Sequence, residues 1–384
     1  MTASFDLWQQ VFTLSYMANA ASAETGDAAT IATDLDNTLD NFFASGTTQA
    51  AIGDWTIVWG PVVFEHEPGP TSYADNAMYV ATNAGNTQYV VAIAATNSHS
   101  KYDWDDEDFD VETTVAWASA FPALAPYGVP SHTPALLPSI SSATALGVNN
   151  LLGMIDTIQG TNQTLAQFLA ALPTATTQGA QITFAGHSLA GALSPTLALA
   201  LFNPDGGELA LANWEYVAAY PTAGATPGNA DFATFFSTVL PPVAATSSST
   251  PYQTWNQDTW NDIDVVPHAW EIATLDQITK LYPTSWIITP IKLAGGVDFA
   301  KHRSNEGAGT MNGPYAKIAN NPLVGTFQGP PVSNLTTFEA EALYQHTTAY
   351  EVLIGIQSVL QADLKDGFRS ALSAVLQQPI DPKV

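Results

Sequence analysis

The chain has 384 residues, 46% of them hydrophobic, and a formal net charge of -26. This hydrophobic content is enough for a sizeable core, and the length allows one large domain or two ordinary ones. The acidic surface repels polyanions, which argues against nucleic acid as a partner, and the absence of cysteine excludes disulfides and thiolate metal sites.

The first 46 residues predict two amphipathic helices that pack outside the main sheet as an N-terminal extension. In the second helix, apolar residues recur at helical spacing at Ile31, Leu35, Leu39 and Phe42. A basic region typical of an export signal is missing here, so the cellular location stays open. No apolar run along the chain reaches the ~18 residues of a membrane helix, and we expect no integral membrane segment.

Three strands are predicted next. Residues 55–66 favour a strand interrupted at Gly60-Pro61, and residues 77–82 and 88–96 favour a hairpin. Residues 89–95 are almost entirely apolar, as expected of a central strand that is buried on both faces.

Residues 97–139 have no sustained periodicity and predict a loop or lid in which acids and aromatics alternate. The acidic run at residues 103–110 has two interpretations. It could bind calcium, although it lacks the glycine and the ligand spacing of an EF-hand loop. The other interpretation is a solvated surface of the lid.

The most informative stretch is residues 181–191, a short apolar run that ends in Gly186-His187-Ser188 and passes directly into a small-residue helix. Strand, sharp turn and helix in this order are typical of a nucleophile elbow, which presents a serine on a strained corner. Gly186 and Ala190 are small enough for that corner. The amide of Leu189, at the N-terminus of the helix, is then available to a developing oxyanion.

Helices and strands alternate over the rest of the chain. Helices are predicted over residues 140–172, after Asn229 and over residues 338–376, and strands over residues 213–220 and 252–258. Residues 281–338 are rich in glycine, proline and asparagine and predict an irregular insertion. This alternation favours one α/β domain over residues 1–384, with a mainly parallel sheet between two layers of helices.

Candidate polar residues fall at the predicted carboxyl ends of strands, where such sheets bind ligands. They are Thr96, Ser188 and the acids Asp262 and Asp264 in the loop at residues 261–268. A serine becomes an effective nucleophile when a histidine accepts its proton and a carboxylate orients that histidine. The loop therefore supplies two candidate acids.

The base can be chosen by elimination among the three histidines that follow the serine. His268 lies only four residues from Asp264 across a proline, so its ring cannot easily reach both that carboxylate and the serine. His302 lies between a lysine and an arginine, whose charges disfavour an imidazolium. His346, at the head of the last helical region, has neither problem.

Segments 186–193, 228–232 and 264–268 together resemble the class 3 lipases, which include the triacylglycerol lipases of filamentous fungi. The resemblance covers roughly residues 75–350. It implies an α/β-hydrolase fold with Ser188 as nucleophile, Asp264 as acid and His346 as base. It also implies Thr96 and Leu189 as oxyanion donors and a lid after Thr96. We expect no cofactor and no metal.

These features predict a serine hydrolase that cleaves carboxylic esters, with acylglycerols at a lipid-water interface as the expected substrates. An esterase for shorter or polymeric esters and a phospholipase are alternatives, because only the shape of the groove separates them. A hydrolase-like domain that binds without turnover is an alternative from another class. It is kept open by Ala94, Ala95 and Ala190, which depart from the common patterns.

Overall fold

The computed structural model describes residues 3–97, 99–100, 102–108, 110–121, 137–203, 207–246, 250–285, 291–311 and 313–360, without the side chains of residues 103–105 and 291. The strands are β1 (Trp55–Phe64), β2 (Asn76–Asn83), β3 (Gln88–Ile93), β4 (Thr114–Ala116), β5 (Ser139–Ser141), β6 (Gln181–His187), β7 (Tyr216–Thr222), β8 (Asp258–Asn261) and β9 (Asn320–Leu323).

The helices lie between and around these strands. They are α1 (Leu7–Met17), α2 (Ala28–Ala44), α3 (Gly46–Ile52), α4 (Trp117–Ala120), α5 (Ser142–Gly153), α6 (Leu165–Ala171), α7 (Thr174–Thr177), α8 (Leu189–Phe202), α9 (Ala230–Val239), α10 (Ile272–Leu275), α11 (Ile291–Thr310), α12 (Leu335–His346) and α13 (Thr348–Ile354). In the described part of the chain, no helix has both the length and the apolarity needed to cross a membrane.

Seven strands form the central sheet in the order β1-β2-β3-β6-β7-β8-β9, and β4 pairs with β5 in a small second sheet. The first three strands are antiparallel, and β3, β6, β7, β8 and β9 run parallel. The predicted hairpin and the mainly parallel sheet are therefore confirmed. β3 and β6 end side by side, with Ile93 opposite Gly186, so the segment after β3 starts next to the nucleophile elbow.

Both faces of the sheet are covered, and the period-two pattern of the strands decides which side chain enters which core. Val91 of β3 packs with α5 and α8 in one core. Val90 and Ala92 face the opposite core, which contains α1, α2 and α13. The two predicted N-terminal helices are thus present and cover the sheet, and α3 follows them as a third.

Two predicted elements are wrong. Residues 252–258 do not form a strand, because Asn256 adopts a positive φ of 58° and its side chain accepts from the Ala219 amide, so β8 starts only at Asp258. Residues 281–338 are not irregular throughout, since they contain α11 and β9. Glycines inside α11 hide its helical pattern, and packing on neighbouring elements stabilises it instead.

Candidate active site

The serine predicted as nucleophile lies on a strained corner between β6 and α8. Ser188 has φ 61° and ψ -124°, in a region that residues other than glycine rarely adopt. A Cβ added to Gly186 would lie 2.4 Å from the Cβ of Ala190, so residue 186 must be glycine. The nucleophile elbow is present, and alanine at position 190 fits it.

Ser188, His346 and Asp264 form a continuous hydrogen-bonded chain. The Ser188 Oγ lies 2.7 Å from Nε2 of His346, and Nδ1 of His346 lies 2.8 Å from Oδ2 of Asp264. Because the carboxylate accepts at Nδ1, that nitrogen carries the proton, and Nε2 is left to accept from the serine hydroxyl. The exposed fractions are 9%, 2% and 0%, so the chain is almost completely shielded from water.

Asp264 is held by further donors in the loop after β8. Its Oδ1 accepts from the amide of Val266 at 3.1 Å, and its Oδ2 accepts from the hydroxyl of Tyr350 at 2.8 Å. The Tyr350 hydroxyl in turn accepts from the amide of Asn261 at 2.9 Å, where β8 ends. Sequence reasoning did not find Tyr350. Its position four residues after His346 was the only available signal.

His346 is the last residue of α12, not the first residue of a helical region as expected. The chain breaks at Thr347, with φ -120° and ψ -83°, before α13 begins. The side-chain amide of Asn261 donates to the backbone carbonyl of Gln345 at 2.9 Å and to its side-chain oxygen at 2.7 Å. The end of β8 therefore holds the end of α12.

The other two histidines after the serine lie outside this chain of contacts. Nδ1 of His268 donates to the backbone carbonyl of Asp264 at 2.6 Å and so supports the acid loop, not the serine. His302 is about half exposed, and its Nε2 lies 3.6 Å from Glu306. This arrangement agrees with the choice of His346 by elimination.

The residues predicted as oxyanion donors lie at the ends of adjacent strands. Leu189 is the first residue of α8, where helix amides lack intrahelical partners. Thr96 follows β3 by three residues and is 8% exposed, and its hydroxyl donates to Oδ2 of Asp108 at 2.9 Å. Burial raises the pKa of Asp108 to about 7.

The described part of the predicted lid contains short elements and is not a plain loop. Residues Asp103–Asp108 form a π-helix, followed by β4 and α4, and residues 122–136 lie outside the described part of the chain. The acidic run is not uniformly solvated either. Glu107 is 2% exposed and accepts from the side-chain amides of Asn76 at 2.8 Å and Asn150 at 2.7 Å.

The buried Glu107 has a perturbed pKa, which burial raises to about 8 against the opposing effect of the two amide donors. Next to this segment lies an open cavity of about 360 Å³, lined among others by Tyr73, His99 and Tyr102. No cluster of three or more acidic or histidine side chains suited to a metal ion occurs among the described residues.

Comparison with solved structures identifies similar proteins. The M37 lipase crystal structure is 25% identical with a TM-score of 0.69, over 95% of this chain and 99% of that chain. The lipase of Rhizopus microsporus var. chinensis is 13% identical with a TM-score of 0.41, over 71% and 74%. The Rhizomucor miehei lipase propeptide complex is 17% identical with a TM-score of 0.39, over 69% and 65%. Neither a family model nor a curated protein sequence matches the chain.

The likeness to the M37 lipase spans nearly the full length of both chains. It confirms the predicted α/β-hydrolase fold and the resemblance to lipases that the sequence indicated. Fold and site together define a serine hydrolase of the α/β-hydrolase class. Among solved structures, this hydrolase is similar to lipases.

Proposed function

We propose that the protein is a lipase, a serine carboxylic-ester hydrolase that acts on acylglycerols through an acyl-enzyme intermediate. The observation that carries the proposal is the hydrogen-bonded chain from Ser188 through His346 to Asp264 behind a strained elbow. The similarity in fold to the M37 protein, which is a lipase, supports the same class of reaction.

In the first half of the reaction, the Ser188 Oγ attacks the ester carbonyl carbon while its proton moves to Nε2 of His346. The carbonyl π electrons move to the oxygen, and a tetrahedral oxyanion forms. Collapse of this intermediate breaks the bond to the alcohol oxygen, which takes the proton from Nε2 and leaves. Asp264 stabilises the imidazolium between the two proton transfers and is not itself protonated.

The second half repeats these steps with water. His346 removes a proton from water, the resulting oxygen attacks the acyl carbon, and the bond to Ser188 breaks as the serine recovers its proton. Leu189, at the N-terminus of α8, and Thr96 are the proposed donors to both oxyanions. The role of Leu189 is supported by its position, because a helix N-terminus favours negative charge.

The described part of the segment after Thr96 is the proposed lid. Trp117 packs against Phe121, Phe232 and Phe235, with ring centroids 4.9 to 5.7 Å apart. Aromatic contacts of this kind can be exchanged for contacts with acyl chains when a lid opens at a lipid surface. The 9% exposure of Ser188 agrees with a closed arrangement. Activity should therefore rise when the ester exceeds its solubility limit.

The test measures hydrolysis of p-nitrophenyl esters of graded acyl length, with and without an organophosphate inhibitor. We expect Ser188→Ala to fold normally, to resist labelling by the inhibitor and to lose at least about 10⁴-fold in kcat, since a triad acts as a unit. Ser194→Ala is the matched control. This serine lies on the same helix, is fully buried, and has a hydroxyl without a partner among the described residues.

The outcomes separate the alternatives. A preference for long acyl chains supports the lipase. Maximal activity on acetate or butyrate esters indicates an esterase for short esters. Release of fatty acid from phospholipid vesicles alone indicates a phospholipase. Turnover that persists in Ser188→Ala overturns the proposal. Complete absence of turnover and of inhibitor labelling in the unaltered protein indicates a domain that binds without catalysis.

A further inference from the structure

His187, the residue before the nucleophile, makes contacts that a packing role does not require. We infer that His187 is a positioning residue: its ring holds the backbone of His346 and thereby sets the distance between the catalytic imidazole and Ser188. The inference rests on the proposed function, because it assigns a role within the same reaction.

The first contact joins the two histidines directly. Nε2 of His187 lies 2.8 Å from the backbone carbonyl oxygen of His346. A carbonyl oxygen can only accept, so Nε2 carries the proton and donates. His346 ends α12, and the last carbonyls of a helix have no partner within the helix. His187 thus gives one of these carbonyls a hydrogen-bond donor. The carbonyl belongs to His346, whose ring contacts the serine.

The second contact pairs the other ring nitrogen of His187. Because Nε2 carries the proton, the neutral ring accepts at Nδ1, which lies 2.9 Å from the hydroxyl of Thr222. Thr222 is the last residue of β7 and lies opposite His187 in the parallel register, and its carbonyl accepts from the Ser188 amide at 3.0 Å. One residue of β7 therefore holds both the nucleophile and the ring that restrains the base.

The rings around His187 restrict it further. Its ring centroid lies 4.9 Å from that of His346, 4.7 Å from that of Tyr350 and 6.0 Å from that of Phe12. Phe12 belongs to α1, so the N-terminal helix contacts the ring that restrains the catalytic histidine. In this way α1 contributes to the geometry of the site as well as to the cover of the sheet.

The surroundings also keep His187 uncharged. Burial lowers its pKa well below the ordinary value, and the neighbouring charge of His346 acts in the same direction. Because His187 stays neutral, it does not compete with His346 for the proton that Ser188 releases. Because the ring is 1% exposed, it acts through the backbone of His346 and has no direct access to substrate.

A pair of substitutions isolates the donated hydrogen bond. His187→Gln keeps a side-chain amide that can donate from a position near Nε2, whereas His187→Leu removes the donor. Val91, a fully buried valine in the middle of β3 that makes no hydrogen bond with its side chain, is changed as Val91→Ala and serves as a control for loss of stability alone. Thr222→Val is the second test. It preserves the shape of residue 222 and removes the hydroxyl that lies 2.9 Å from Nδ1 of His187 and 3.3 Å from the Gly186 carbonyl oxygen. It therefore remains informative if His187→Leu does not fold.

Four measurements apply to each variant: kcat and KM on a dissolved p-nitrophenyl ester, the pH dependence of kcat/KM, the rate of phosphonate labelling and the thermal unfolding midpoint. A misplacement of about 1 Å costs on the order of 100-fold. We expect His187→Leu to lose roughly 10- to 100-fold in kcat with little change in KM. The acid limb of the plot of kcat/KM against pH, which reports protonation of the catalytic base, should also shift. His187→Gln should stay within about threefold, and Thr222→Val should fall between the two.

The inference is overturned if His187→Leu or Thr222→Val folds, matches Val91→Ala in unfolding midpoint, and keeps both kcat and the acid limb of the unaltered protein. Ser188→Ala separates this failure from failure of the proposed function. If Ser188→Ala is inactive while the residue 187 and 222 variants behave as Val91→Ala, only the positioning role is wrong. If Ser188→Ala remains active, the proposed function itself is wrong.

Discussion

The hydroxyl of Tyr350 donates at 2.8 Å to the same Oδ2 of Asp264 that accepts from His346. Burial raises the pKa of Tyr350 well above its ordinary value, so the hydroxyl remains a donor throughout the neutral range. It also accepts from the amide of Asn261. Tyr350 therefore ties the acid to the end of β8 and restricts rotation of the carboxylate.

Tyr350→Phe should reduce kcat by roughly 10- to 100-fold with little change in KM, because a hydrogen bond to a charged group contributes roughly 1.5–3 kcal/mol and its loss frees the carboxylate. The ring, which also packs on His187, is retained. Steady-state kinetics on a dissolved ester check this expectation. Tyr344→Phe, on α12, is a control at a partly exposed tyrosine. Equal kcat values in the two variants would refute the role of the Tyr350 hydroxyl.

Replacement of the histidines should show a sharp contrast. We expect His346→Ala to lose turnover as completely as Ser188→Ala, by about 10⁴-fold or more. His302→Ala should keep most of the activity because this side chain is about half exposed and pairs with the exposed Glu306. His268→Ala should also keep most of it, with a small loss because its ring supports the Asp264 backbone. A folded, inactive His302→Ala protein beside an active His346→Ala protein would assign the base to residue 302.

The proposed oxyanion role of Thr96 can be tested with two substitutions that differ in one hydroxyl. Thr96→Val should lower kcat by roughly 10²- to 10³-fold, the usual cost of losing an oxyanion donor or its alignment. Thr96→Ser should keep most activity, because its hydroxyl can still bond to Asp108. If the valine variant matches the serine variant in kcat, the hydroxyl has no part in oxyanion stabilisation.

The segment that contains Glu107 should loosen as the pH rises through the neutral range. The pKa of this carboxyl is raised by burial from its ordinary 4.5 to about 8 in the folded chain. A raised folded-state pKa gives stability that is fully present below pH 4.5 and is lost as the pH rises through 8. Hydrogen exchange in residues 102–108, corrected for its intrinsic pH dependence, should therefore accelerate as the pH rises from 4.5 to about 8 and level off above that pH.

Glu107→Gln should remove this pH dependence, because the amide cannot ionise. Asp106→Asn, a change at the exposed acid one residue earlier, should leave it unchanged. Burial also raises the pKa of Asp108, to about 7, so the comparison between the two variants is the decisive measurement. Equal acceleration in both variants would show that Glu107 does not control the segment.

The elbow could be predicted from the sequence because it is a local structure. A buried strand, a glycine two residues before the serine and a small residue two after it lie within eleven residues, and backbone sterics alone require that order. Apolar, strand-favouring runs separated by a turn composition identified β2 and β3 for the same reason. Prediction failed where local pattern is weak, as in the glycine-containing α11, and where one side chain overrides propensity, as Asn256 does before β8.

What the sequence by itself determined was the chemistry of three residue types and their order along the chain: serine, acid, histidine. Tertiary structure alone decided their geometry, since Ser188 and His346 are 158 residues apart and Asp264 and His346 are 82 residues apart. Tyr350 and His187 acquire their roles only when α12 and α13 dock against β6 and β8. Contacts of this kind leave no period in the sequence, because each depends on the packing of distant elements and not on neighbours along the chain.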